Sequence, residues 1–122
     1  MLERTVTTNT GSSYADIRVG DGHGIHQGLA DATLAAASRD ADNNLPPGLP
    51  LLSTGGPVSG AAQSAYGIVG PEKAYLGSSN RYVNVIMTGP LNRDMIEANL
   101  GRVLSANELS AIATGLPGVK LV

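Results

Sequence analysis

The sequence has no cysteine, no phenylalanine and no tryptophan, and only 15% of its residues are charged. Without cysteine, the chain has no disulfide framework, no thiolate metal site and no cysteine nucleophile. Its only aromatic residues are four tyrosines, so aliphatic residues and alanine have to fill the core. Each of these buries less area than an aromatic ring. We therefore expect a modestly stable monomer, with contacts between subunits supplying further stability.

Charge of either sign is scarce, with eight basic residues against ten acidic ones and a net charge of −2. The basic residues are scattered, whereas nucleic-acid binders usually show a basic stripe, so we expect no direct contact with nucleic acid. The first ten residues lack the apolar stretch of a signal peptide, and no apolar run is long enough to span a membrane. We expect a soluble protein made in the cytosol.

The longest gap in the charge pattern runs from Asn43 to Pro71. These 29 residues include six glycines and five prolines but no charged side chain. Exposed surfaces normally carry charge, which keeps them hydrated and apart. A segment so rich in turn residues is not one buried strand or helix, so we expect irregular backbone that lies against the rest of the domain or another chain.

Residues 1–14 have the composition of an extended arm that precedes a single domain over 15–122. From Thr5 to Ser13, eight of nine residues are Thr, Ser, Asn or Gly. Such a segment buries little area, and its threonines favour an extended conformation. It is either a tail without a role or a strand that orders by adding to the sheet edge of a partner. Composition alone favours the tail.

The middle of the chain is dominated by strand patterns. We predict strands over 14–19, 25–34, 49–52, 64–69 and 81–88. For the second of these, the alanine content of DATLAAAS leaves a helix as the alternative. The strand at 49–52 is flanked by proline, which predicts a position at a sheet edge or bulge. Gly67 predicts a close approach of neighbouring backbone or a bulge. We expect Gly89-Pro90 to end the last of these strands, in which Val83 and Val85 lie on one face and Ile86 on the other.

Two short helices are predicted after the strands. Asn92 can cap a helix over Arg93–Leu100, with Gly101 as a natural residue after its end. Ser105 and Glu108 form a capping box for a second helix. An apolar stripe at helical spacing follows the box: Leu109, Ile112, Ala113 and Leu116. With residues 119–122 expected to return to the sheet, the predicted class is α+β, mostly β.

No motif in the sequence indicates a particular enzymatic reaction. The segment Gly20–Gly24 lacks the spacing of a phosphate loop and is interpreted as a glycine turn. In and just after that turn, Asp21, His23 and His26 lack the fixed geometry of a metal site. Asp40–Asn44 resembles the start of a calcium loop but lacks its later glycine and glutamate. The charged residues that open the first helix are interpreted as ordinary capping: Arg93, Asp94 and Glu97. We therefore predict no cofactor and no metal.

Four sequence blocks between residues 46 and 122 occur in a familiar order: PPGLPL, AYGIV, YVNVIMTGPLN and SANE. Their order resembles the lambda-type head decoration proteins of tailed bacteriophages, a family of capsid-stabilising proteins. The matching pieces are Leu45–Leu52, Ala65–Val69 and Val83–Leu91. The threonine-rich arm is also similar to the mobile N-terminal arm of that family. The chain departs from the family at its C-terminus, where two capped helices are more developed than the family pattern implies.

The resemblance implies a β-clip-like fold and a homotrimer without enzymatic activity. The trimer would sit on the outer surface of the virion, at three-fold and quasi-three-fold sites of the expanded capsid. The arm would then add a strand to the major capsid protein through residues that include Leu2, Thr5, Val6, Thr7, Thr8 and Tyr14. Parts of the uncharged segment would contact identical subunits or the capsid through residues that include Leu49, Leu51, Pro57, Val58 and Tyr66.

Two other hypotheses remain open at this point. The chain could form a small trimeric β-fold enzyme that acts on a nucleotide, for which the candidate residues are Asp21, Asp31 and Arg81. It could also be another phage surface protein, such as a fibre base or a host-adhesion module. Carbohydrate sites usually offer exposed aromatic rings, which makes a chain with four tyrosines and no tryptophan a weaker candidate for adhesion.

Overall fold

A computed structural model of the protein describes residues 14–29, 44–70, 74–75 and 82–122. The strands in these ranges are β1 (Gly24–Leu29), β2 (Asn44–Leu45), β3 (Pro50–Leu51), β4 (Gly67–Val69), β5 (Ala74–Tyr75), β6 (Tyr82–Leu91) and β7 (Val119–Leu121). The helices are α1 (Arg93–Leu100) and α2 (Ala106–Gly115). The predicted α+β, mostly β class is confirmed.

Strand β6 is the centre of a five-stranded sheet. Its first part lies between β1 and β4, and both pairs are antiparallel. Its last three residues pair in parallel with β7. The sheet order is β1-β6-β4-β3, while β2 and β5 form a separate antiparallel pair. Strand β6 therefore joins segments from the beginning, middle and end of the described chain.

The prediction that Gly89-Pro90 ends β6 is wrong, because the strand continues to Leu91. Gly89 has a φ of +112°, which favours glycine and bends the strand without ending it. Its N–H still donates to the carbonyl of Gly118, at 2.9 Å. Pro90 has no N–H, but its carbonyl accepts a hydrogen bond from Val19 N at 3.1 Å. The bend is tolerated because partners from distant parts of the chain hold both sides of it.

The core has two clusters, one on each face of the sheet. Ile86 lies in the first cluster with side chains from both helices, including Ile96 and Ile112. Val83 and Val85 lie in the second cluster, which contains Leu45, Leu49, Leu51 and Val69. The predicted division of these β6 side chains between two faces is confirmed. Burial on both faces makes β6 a core strand rather than a surface strand.

A close approach was expected at Gly67 from neighbouring backbone or a bulge, and the structure shows instead a close approach by a side chain of the adjacent strand. A Cβ at Gly67 would lie 2.5 Å from Cγ2 of Val85 in the adjacent strand. On the opposite side of Val85, a Cβ at Gly28 would lie 3.1 Å from its other methyl group. A branched side chain in the central strand is thus accommodated by a glycine in each flanking strand.

The predicted helix caps are all present. The side chain of Asn92 accepts a hydrogen bond from Met95 N, and Gly101 follows α1 with a φ of +75°. Ser105 and Glu108 form the reciprocal capping box of α2. The apolar stripe of α2 is wrong at one position, since Ala113 is exposed and Ala111 is buried. The buried face of α2 therefore contains Ala111, Ile112 and Leu116, and Ala113 lies outside it.

The strand predictions hold to different extents. Strand β1 agrees with the first half of the strand predicted over 25–34, and residues 30–34 lie outside the described ranges. The strand predicted over 14–19 is wrong except for a single bridge between Arg18 and Leu91. The predicted return of the last residues to the sheet is confirmed by β7.

Within the described ranges, no helix combines the length and apolar character needed to cross a membrane.

We predict that Gly67→Ala destabilises the fold by about 2 kcal/mol, because the new methyl group overlaps a rigid β-branched side chain in a packed core. Urea unfolding would measure the change in the free energy of unfolding. Gly60→Ala is the matched control, since a Cβ at Gly60 meets nothing within 4 Å, and it should change stability by no more than about 0.5 kcal/mol.

A double-mutant cycle identifies the clash. Val85→Ala removes the methyl group that would lie 2.5 Å from the new Cβ, although Cβ of residue 85, at 2.6 Å, remains. The clash is therefore reduced, and the two substitutions together should cost less than the sum of their separate costs. Equal costs for the Gly67 and Gly60 substitutions, or strict additivity in the cycle, would contradict the close contact described above.

Candidate interaction surface

The middle of the uncharged segment forms a tight hairpin at the edge of the sheet. Leu52 N donates to the carbonyl of Gly56, and Gly55 adopts a φ of +89° at the turn. Pro57 then lies opposite Leu51 in an isolated antiparallel bridge, on the outer side of β3. The proline-flanked strand is at a sheet edge, as predicted, and a residue without an N–H lies next to it.

The five predicted contact residues of this segment fall into two groups. Leu49 and Leu51 are 3% and 1% exposed, so their side chains lie in the core of their own chain. Pro57, Val58 and Tyr66 are half-buried and leave side-chain surface accessible. Packing within the chain therefore accounts for part of the missing charge. Contact with a partner stays a prediction, and the accessible surface for it belongs to the second group.

The part of the segment around Ala65 contacts helix α2 directly. Ala65 N donates to the carbonyl of Ala111 at 3.0 Å. A Cβ at Gly115 would overlap the carbonyl oxygen of Ala65, so the two backbones are in close contact there. The loop and the helix together present small side chains without charge to solvent. We call these residues the uncharged face: Ser59, Ala61, Ala62, Ser64, Ser110, Ala113 and Thr114.

Helix α2 has one charged residue, Glu108, and its side chain points inward. The carboxylate accepts two hydrogen bonds from Arg102, at 2.6 and 3.0 Å, and one from Ser105 N at 2.9 Å. Burial alone would raise the pKa of Glu108, but these hydrogen bonds outweigh it and hold the pKa below its ordinary value of 4.5. The exposed side of α2 is thus left without charge.

Near the start of the first described range, the main chain at Ala15 is hydrogen-bonded to the buried side-chain amide of Asn99. Asn99 is 3% exposed, and its Oδ1 accepts a hydrogen bond from Ala15 N at 2.9 Å. Its Nδ2 donates to the carbonyls of Ala15, at 2.8 Å, and Pro47, at 3.2 Å. Helix α1 therefore fixes the point at which the predicted arm would leave. Of the predicted arm residues, Tyr14 is half-buried beside this point, and Leu2, Thr5, Val6, Thr7 and Thr8 lie outside the described residues.

A polar surface pocket of about 350 Å³ lies at the glycine turn before β1. Asp16, Arg18, Asp21 and His23 line it together with Ile25 and turn glycines. Hydrogen bonds from Arg18 hold the pKa of Asp16 below its ordinary value. The ring of His23 is hydrogen-bonded through Nε2 to the carbonyl of Pro90, at 2.7 Å. The polar groups in the pocket are thus largely engaged with one another or with β6.

Only one of the three candidate residues of the alternative nucleotide enzyme lies in the described part of the chain. Asp21 lies in the polar pocket, while Asp31 and Arg81 lie outside the described residues, as do Asp40 and Asp42. In the described part of the chain, no group of three or more His, Cys, Asp or Glu side chains is placed to hold a metal ion.

Sequence reasoning missed the role of Glu97. It was interpreted as an ordinary capping residue, but it is fully buried in α1. Its carboxylate accepts hydrogen bonds from Leu104 N at 2.8 Å and from Arg93 Nε at 3.2 Å. The spacing of Arg93 and Glu97 signals the ion pair. The contact with Leu104 depends on how the chain returns after α1, which the sequence pattern does not state.

Comparisons with protein-family models, curated proteins and solved structures found no match to this chain.

We predict that Glu108 makes the stability of the protein depend on pH in acid. Because its folded pKa lies below 4.5, ionised Glu108 stabilises the fold above that pH, and the contribution is lost as the pH falls through the lowered folded value. The free energy of unfolding in urea would be measured from about pH 6 to about pH 3. Glu108→Gln should be less stable near neutrality and should lose less stability on acidification. Parallel curves for the two proteins would contradict the prediction.

Proposed function

We propose that the protein is a structural decoration protein of a bacteriophage head. In this proposal it has the β-clip-like decoration fold, and a homotrimer binds the outer surface of the expanded capsid at three-fold and quasi-three-fold sites. The support begins with the three sequence segments that resemble the lambda-type family. A mostly β, α+β fold with two helices is compatible with this function. The observation that carries the proposal is the uncharged face.

The uncharged face suits contact between identical subunits. Around a three-fold axis, equivalent residues of three copies approach one another, so any charge near the axis meets charges of the same sign. The seven residues that define the face avoid this repulsion because none is charged. The half-buried Pro57, Val58 and Tyr66 belong to the same uncharged segment and add apolar area to such a contact. A core without large aromatic rings other than tyrosine also benefits from area buried between subunits.

The predicted arm suits contact with the major capsid protein. Ala15 is held by Asn99, so residues 1–14 would extend from a fixed point on the trimer. Strand addition derives its affinity from main-chain hydrogen bonds, for which a segment of Thr, Ser, Asn and Gly is adequate. A protein that binds only the expanded shell stabilises that shell in proportion to the logarithm of its concentration relative to Kd. This action requires no catalysis and no contact with nucleic acid or membrane.

We predict that a charge on the uncharged face weakens the trimer. Ala61→Glu and Ser110→Glu each replace an exposed side chain, and each should raise the dissociation constant of the trimer at least tenfold, or about 1.4 kcal/mol. Sedimentation over a range of concentrations would measure it. Lys120→Glu, an exposed charge change on β7, is the control and should leave the trimer intact. A monomeric wild-type protein, or trimers unaffected by both substitutions, would contradict the proposed interface.

The role of the arm can be tested separately from that of the interface. Deletion of residues 1–13 keeps Tyr14 and the Ala15–Asn99 pair, so the trimer should sediment normally. Its affinity for expanded capsids should fall at least about a hundredfold. Thr5→Pro with Thr7→Pro removes main-chain donors and should mimic the deletion, whereas alanine at both positions keeps the donors and should bind well.

Electron microscopy of capsids with and without the protein gives the decisive image. Density at the three-fold positions supports decoration, and its absence at saturating protein contradicts the function. Density with the truncated protein would contradict only the arm.

A further inference from the structure

The turn before β1 contains the one Asp-Gly step in the sequence, Asp21-Gly22. Both residues are exposed, and Gly20 and Gly22 have φ values of +71° and +85°. A Cβ at Gly22 would meet nothing within 4 Å. Within the described part of the chain, Asp21 has no hydrogen bond or ion pair. The carboxyl group and the residue that follows it are therefore both exposed to water, and no side chain crowds the glycine.

We propose that Asp21 is a site of spontaneous isomerisation to isoaspartate. The amide nitrogen of Gly22 attacks Cγ of Asp21, and the resulting five-membered succinimide forms with loss of one water. A water then opens the ring. Opening at the Cγ carbonyl restores aspartate, and opening at the original main-chain carbonyl gives isoaspartate. The sum of the two steps leaves the composition unchanged and requires no other reactant. Glycine favours the attack because it has no side chain to obstruct the approach and a wide range of backbone conformations.

The other exposed aspartates in the described ranges lack these features. Asp16 is followed by the fully buried Ile17, and its carboxylate accepts hydrogen bonds from the main chain and side chain of Arg18. Asp94 is followed by Met95 within α1, and Met95 N donates to the cap residue Asn92. In both cases the following residue carries a large side chain, and its backbone is held by burial or by the helix. Of these three aspartates, only Asp21 is therefore expected to isomerise readily in the folded protein.

The isomerisation would alter a short loop that is tied to β6 at both ends. Before the turn, Val19 N donates to the carbonyl of Pro90. After it, the ring of His23 is bonded to the same carbonyl, and Gly24 N donates to Thr88 Oγ1 at 2.9 Å. Isoaspartate routes the main chain through Cβ and Cγ, which adds one backbone atom between these fixed points. The loop must bulge or release His23, and the polar pocket changes shape with it.

The test follows isoaspartate in the intact, folded protein during prolonged incubation at neutral pH and physiological temperature. Methylation by an isoaspartate-specific methyltransferase, followed by peptide mapping, gives the site. Label should accumulate at Asp21 at a rate several-fold above that at Asp16 and Asp94 in the same sample. Asp21→Glu should abolish the label at that position, because the equivalent ring has six members and closes slowly. Asp21→Asn should label faster, since ammonia leaves in place of water.

A parallel sample unfolded in urea makes the outcome decisive. Label at Asp21 in both samples supports the proposal. Label at Asp21 only in the unfolded sample would show that the native turn protects the residue, and this would overturn the proposal. Equal labelling of all three aspartates in the folded protein would overturn it as well, because the selectivity derived from the turn would be absent.

Discussion

The pairing of β6 on both edges is the constraint on which the described fold depends. Strand β1 and then the Arg18–Val19 segment lie along one edge, while β4 and then β7 lie along the other. Each face of β6 also contributes to a separate hydrophobic cluster. The glycines that flank Val85 and the bend at Gly89 make this pairing sterically possible. In the described part of the chain, a core with few large side chains is thus assembled around one strand that pairs with β1, β4, β7 and the Arg18 segment.

The few charges of this chain are used partly inside the protein. Glu97 and Glu108 are both buried, and each accepts a hydrogen bond from a main-chain N–H in the connection between the two helices. A buried carboxylate is tolerated only with such partners, because desolvation otherwise outweighs the attraction between the charges. The two acids therefore hold the connection between the helices in one conformation, and the outer side of α2 remains uncharged as a consequence.

Features that depend on neighbouring residues were predictable from the sequence, and features that depend on remote ones were not. The caps at Asn92 and Ser105 follow from side-chain chemistry within a few positions. The continuation of β6 past Pro90 depends on a parallel partner from the far end of the chain, and no local pattern reveals it. For the candidate surface, the missing charge indicated the correct segment, but it did not distinguish core residues such as Leu51 from accessible ones.

The amide of Asn99 has a mechanical consequence. It pairs with both the N–H and the carbonyl of Ala15, in the manner of one strand residue beside another. Any force that pulls on the residues before Ala15 is therefore shared by two hydrogen bonds that must break together. Beyond them the load reaches Ile17, whose buried side chain and carbonyl bond to Asn92 N lead into the start of α1. Tension from the N-terminal side is thus directed along a helix and its cap before it reaches the sheet.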